Sequence, residues 1–139
     1  MLSQPNPTFE RKRMWLALLP AIVWIALIWL AFAVGQAGLF DGSLSRLGIM
    51  PREAVGLRGV IFSPFLHSSL SHVWSNTLPL LILIWFLFYF YSKIALSAFI
   101  YLWLTSGLIT WAIGRGAYHV GASGLVFALL FFLFFSGLV

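Results

Sequence analysis

The sequence predicts an all-α integral membrane protein, a polytopic helix bundle, on three observations. Hydrophobic residues make up 62% of the chain and charged residues 8%, a balance outside the range of soluble globular domains. The apolar residues fall in long continuous runs, whereas the strands of a membrane barrel alternate apolar and polar with period two. At 139 residues there is room for about four spans, each needing roughly 20 apolar residues to cross a hydrocarbon core of about 30 Å. Residues 1–139 are therefore read as a single membrane domain.

The first helix is expected over about 15–34. Three basic residues, Arg11 to Arg13, precede an uncharged run that continues through Phe40, longer than a signal-peptide core and without a small-residue cleavage site. Residues 35–71 hold most of the remaining polar content, including Asp41, Arg46, Arg52, Glu53 and Arg58, with glycine and proline breakers. Apolar patches within this loop ("LGIM", "VIFSPFL") predict short amphipathic helices partly embedded in the interface rather than a solvated linker. A second helix over about 72–91 and a third over about 94–113 form an antiparallel hairpin whose turn contains Lys93. "GRGAYHVGA" returns the chain to the outer side, and a fourth helix descends over 123–139. The amino-terminal basic cluster places the amino terminus and Lys93 in the cytoplasm by the positive-inside rule, and the 35–71 loop outside.

Several function classes are excluded. The net charge of +5 comes from eight scattered Lys and Arg residues that form no basic helix face, so topology explains them better than nucleic acid does. The absence of cysteine removes disulfides, thiolate metal sites and cysteine nucleophiles. Three histidines and three acids without HExxH-type pairing make a poor ligand set, and neither metal nor cofactor is expected.

Two polar clusters remain. In "FLHSSLSHVWSNTLPLL", His72 and Asn76 are four apart and project from one face of the second helix, with His67 one short step upstream. Such groups are costly at membrane depth unless paired or facing a cavity, which points to an intramembrane site. The plainer reading is interhelical hydrogen bonding that holds the bundle together, at about 1 kcal/mol per contact. In "HVGASGLVFALL", Gly121, Ser123 and Gly124 form either a small-residue notch for close helix packing or the surroundings of a nucleophile. Both clusters fall at the same depth, and this favours a hydrolase site. His72, Asn76 and the Ser123 backbone N–H would donate to the carbonyl that the serine oxygen attacks, with glycines leaving room for a substrate backbone.

HxxxxHxxxN on the second helix, followed two helices later by GxSG opening the fourth, resembles the rhomboid family of intramembrane serine proteases over essentially the whole chain. The resemblance implies Ser123 as nucleophile, His72 and Asn76 as oxyanion-stabilising side chains, Gly121 and Gly124 as glycines framing the serine, and His67 as a structural support. It further implies a six-helix core, of which four spans are present here, and a histidine base on the sixth helix. Without that base the chain reads as the amino-terminal part of a longer protein and inactive alone, since a serine hydroxyl without a base is a poor nucleophile. His119, the only histidine close to Ser123 in sequence, is expected to pack the preceding loop rather than act as that base.

The expected function is an intramembrane serine endopeptidase that cleaves transmembrane segments of other membrane proteins near the outer face. The alternative is a catalytically silent rhomboid-like protein that binds transmembrane helices. A transporter or channel subunit fits worse, for want of intramembrane acids and paired broken helices. The expected partners are transmembrane substrates and the lipid bilayer, and the sequence leaves the oligomeric state open.

Overall fold

The computed structural model describes residues 7–38 and 44–137. Asp41 and Phe40 of the sequence reading, and the last two positions of its fourth helix, lie outside the described residues. The order is α1 (Pro7–Gln36), a loop of short helical turns, α3 (Leu70–Phe90), α4 (Ala95–Ile113) and α5 (Ser123–Ser136). Within the loop lie 3-10 turns at Leu44–Leu47, Ala54–Arg58 and Ser63–Phe65, and one α-turn, α2, at Gly59–Phe62.

The molecule is a multi-pass helical membrane bundle. α1, α3 and α4 are each long and apolar enough to cross a membrane. α5 is apolar throughout, but its 14 described residues cover only about 21 Å at 1.5 Å per residue. α1 begins at Pro7, well before the expected start near Trp15. The early residues are too polar to belong to the crossing, yet proline suits the first helical position and Glu10 suits the positive end of the helix dipole. α3 also begins earlier than expected, at Leu70, because Ser69 is extended and its side chain accepts the His72 backbone N–H.

Packing follows one stripe per helix. On α3, Val73, Asn76, Leu80, Ile84 and Leu87 are buried at three- and four-residue spacing. Ala21 and Ile28 of α1 and Ala122, Leu125 and Leu129 at α5 complete the core with Ala95 and Phe99 of α4. Other faces expose large apolar side chains such as Leu19, Leu30, Leu78 and Phe131, as expected where the solvent is lipid and association rests on close packing. α1 and α3 are antiparallel: Arg13 reaches Tyr89 at one end, and Trp29 Nε1 donates to Thr77 Oγ1 (3.2 Å) toward the other. α3 and α5 run parallel, since Gly121 meets His72 at their starts and the Tyr91 hydroxyl donates to Ser136 Oγ (2.7 Å) at their ends. Two parallel helices joined through the returning α4 bring both polar clusters to the same end of the bundle.

Candidate active site

The loop between α1 and α3 builds one wall of the site. Its backbone doubles back so tightly that a Cβ on Gly59 would overlap the Gly48–Ile49 backbone, an approach that only glycine permits. Ile49 then pairs with His119 as an isolated antiparallel bridge, through N–H to O distances of 2.9 and 2.8 Å. Further along the loop, the carbonyl of the buried Ser63 accepts the Gly121 N–H at 2.8 Å. Arg52 fastens the loop to the end of α4, its Nη1 donating to the carbonyls of Gly114 (2.9 Å) and Ala112 (3.3 Å). Trp111 Nε1 donates to the Glu53 carbonyl at 2.9 Å. The Ala112 and Gly114 carbonyls lie at the end of α4, where a helix lacks internal partners. Sequence reasoning missed Arg52, Ser63 and Ser69, whose roles depend on backbone groups distant in the chain or, for Ser69, on which of three nearby serines takes the cap.

His67, His72, Asn76 and Gly121 come together. The two imidazoles meet edge to face with centroids 4.9 Å apart. Asn76 is 6% exposed, and its Nδ2 donates to the His72 carbonyl (3.0 Å) and to His67 Nε2 (3.3 Å). Both carboxamide hydrogens are thus engaged, so an oxyanion would have to draw one away, and the longer bond to His67 is the weaker competitor. Accepting from Asn76 requires His67 to carry its proton on Nδ1, a buried atom without a hydrogen-bond partner among the described residues. Burial, followed by the nearby His72, pushes the His67 pKa down from 6.5 to about 4, and the Phe65 backbone opposes this in part. His67 is therefore neutral at physiological pH and acts as an acceptor.

His72 turns its Cε1–Nε2 edge toward Gly121: a Cβ there would lie 2.5 Å from Cε1 and 2.6 Å from Nε2. Gly121 has φ of +108°, so both backbone and space demand glycine. On the other side of His72, Ser68 Oγ lies 3.5 Å from Nδ1. Ser123 follows as the first residue of α5, exposed, with no side-chain cap on the helix N-terminus. It lines a cavity of about 210 Å³ with Gly121, Gly124, Ser106, Thr110 and His119. Among the described residues no hydrogen bond joins the Ser123 hydroxyl to His72 or Asn76, and those two side chains do not line its cavity. Gly121 is the link between the two. A Cβ on Gly124 would meet nothing nearer than 3.9 Å. His119 Nε2 donates to the Arg115 carbonyl at 3.0 Å.

A bundle with a serine at a helix start and a histidine–asparagine pair on the neighbouring helix defines a multi-pass membrane protein with a polar site at one end. The chain belongs to the rhomboid family: the model of the Rhomboid domain matches residues 55–139. It is 37% identical over 127 residues to the uncharacterized protein Rv1337 of Mycobacterium tuberculosis, covering 84% of this chain and 50% of that one. The uncharacterized protein Mb1372 of Mycobacterium bovis matches with the same figures. The uncharacterized protein ML1171 of Mycobacterium leprae is 32% identical over 146 residues, covering 97% of this chain and 56% of its own. The chain thus spans about half the length of these relatives. No solved structure matches it significantly.

Proposed function

We propose that the chain carries the nucleophile and oxyanion side of a rhomboid-type intramembrane serine endopeptidase. The observation that carries the reading is the His72 ring edge against Gly121, two residues before Ser123, with Asn76 and His67 bonded behind it. In this mechanism Ser123 Oγ attacks the scissile carbonyl and its proton passes to a base. The oxyanion is met by the Ser123 N–H, His72 Nε2 and a hydrogen released by Asn76. The protonated base then gives its proton to the leaving amine, and water hydrolyses the acyl-serine.

The base is best sought outside the described residues, on a helix packed against α5, as the resemblance implies. Asn76 occupies His67, Gly121 and Ser68 flank His72, and the Arg115 carbonyl holds His119. Substrates are transmembrane segments with small residues at the cleavage site and a helix that unwinds easily. The amino terminus is cytoplasmic and the site lies toward the outer face, with the short helical turns between Leu44 and Phe65 set into the interface beside it.

A second reading, a catalytically silent protein that binds transmembrane helices, is favoured by the full engagement of Asn76. Cleavage of a model transmembrane substrate by the full-length gene product in proteoliposomes separates the two. Ser123→Ala should abolish it, and His72→Ala should lower the rate about 10²- to 10³-fold, the usual effect of losing one oxyanion donor. Binding of the substrate without any cleavage would select the silent reading.

A further inference from the structure

The opposite end of the bundle carries a groove that the candidate site does not use. α1 is 30 residues long, about 45 Å at 1.5 Å per residue, so it overreaches a hydrocarbon core of about 30 Å. Phe9, Lys12, Arg13 and Leu16 follow i, i+3, i+4, i+7 spacing and share one helix face. With Ala17, and with Phe88 and Ser92 across the gap, that face encloses a groove of about 490 Å³.

Arg13 fixes the shape of the groove. Its Nη2 donates to the Tyr89 carbonyl (2.8 Å), its guanidinium lies 4.8 Å from the centre of the Tyr89 ring, and Glu10 is 3.9 Å away. The Tyr89 hydroxyl donates to the same Glu10 carboxylate at 3.2 Å. Glu10 is thereby taken up, and Lys12 is exposed without an ion pair among the described residues. Arg11 and Lys93 belong to the same end, which sets four cations against one carboxylate.

We propose that this groove binds one anionic glycerophospholipid, its phosphate against Lys12 and Arg13 and an acyl chain along Leu16, Ala17 and Phe88. The pairing of cations with apolar walls carries the assignment: Lys12 and Arg13 lie on the overreaching part of α1, with Leu16, Ala17 and Phe88 deeper and Phe9 one turn further out. A choline headgroup would bring a further cation to a basic cluster. A second copy of the chain would bring a like-charged face, since the whole sequence holds only three acids. The bound lipid would cover the seam where α1 crosses the end of α3 and stabilise that antiparallel pair.

Native mass spectrometry of the full-length chain, released from mild detergent, tests this with phosphatidylglycerol and phosphatidylcholine of identical acyl chains. One phosphatidylglycerol should be retained with a preference of about fivefold or more, and Lys12→Gln should remove most of that preference. Phe88→Ala should weaken retention of both lipids, whereas Arg58→Gln, in the loop at the far end, should change neither. Circular dichroism checks the helicity of each variant. Glycerol phosphate, which lacks acyl chains, should fail to displace the lipid at equal concentration. Equal retention of the two lipids, an undiminished preference in a folded Lys12→Gln, an equal loss in Arg58→Gln, or displacement by glycerol phosphate would each overturn the proposal.

Discussion

Gly121 joins the two halves of the candidate site, because it lies against the His72 ring and two residues before the serine. Gly121→Ala would force an alanine to φ of +108° and push the His72 ring from its place. A strain of about 1–2 kcal/mol is expected, read as a lower thermal midpoint together with a displaced His72 imidazole resonance. Gly124→Ala is the contrasting case. Its new methyl has room at 3.9 Å, and helix propensity favours alanine, by less in this first turn than the roughly 1 kcal/mol of a helix interior, so the fold should hold. If Gly124 admits a substrate backbone, the same variant should still lose cleavage. His67 gives the site a pH dependence. Its pKa falls from 6.5 to about 4 in the folded chain, so the unfolded state binds more protons between those values. Its contribution to stability is then complete above pH 6.5 and is lost as pH falls toward 4. Thermal melts from pH 7.5 to 4 should decline more steeply in the parent than in His67→Gln. At this scale the shared face of His72 and Asn76 was legible from their helical spacing. The engagement of both Asn76 hydrogens was not, because one goes to a loop residue whose position depends on the whole fold.

Among the elements, the loop between α1 and α3 is held by contacts far away in sequence. Arg52→Ala would free the Ala112 and Gly114 carbonyls and loosen the Ile49–His119 bridge next to the Ser123 cavity. Hydrogen exchange at the Ile49 and His119 amides should accelerate in this variant, while exchange in the core of α3 stays unchanged. Ser69→Ala removes the cap on α3 and should cost about 1 kcal/mol. The long helices were readable from continuous apolar runs alone. The starts of α1 and α3 were not: hydrophobicity locates the crossing and is blind to the polar first turns of α1, which are helical from Pro7, whereas α4 ends at Ile113 and α5 begins at Ser123 as the breakers between them imply. The loop's path was equally hidden, because it depends on a backbone crossing at Gly59 and on backbone bonds to segments some 60 residues away.

At the scale of the molecule, an antiparallel α4 between parallel α3 and α5 brings residues about 50 positions apart in the chain to one end of the bundle. That arrangement follows from the number of spans, which is why the shared depth of the two clusters could be inferred without coordinates. The side of the membrane is argued from Arg11 to Arg13. Cysteine introduced at Arg52 should react with an impermeant thiol reagent from outside the cell, and one introduced at Ser92 should not. The mechanism stands on Ser123 acting as a nucleophile. Its most direct test is fluorophosphonate labelling of the gene product in its native membrane, followed by mapping of the modified peptide. A label on Ser123 that disappears in Ser123→Ala is the expected result. A folded protein that captures transmembrane helices yet leaves Ser123 unlabelled would contradict it.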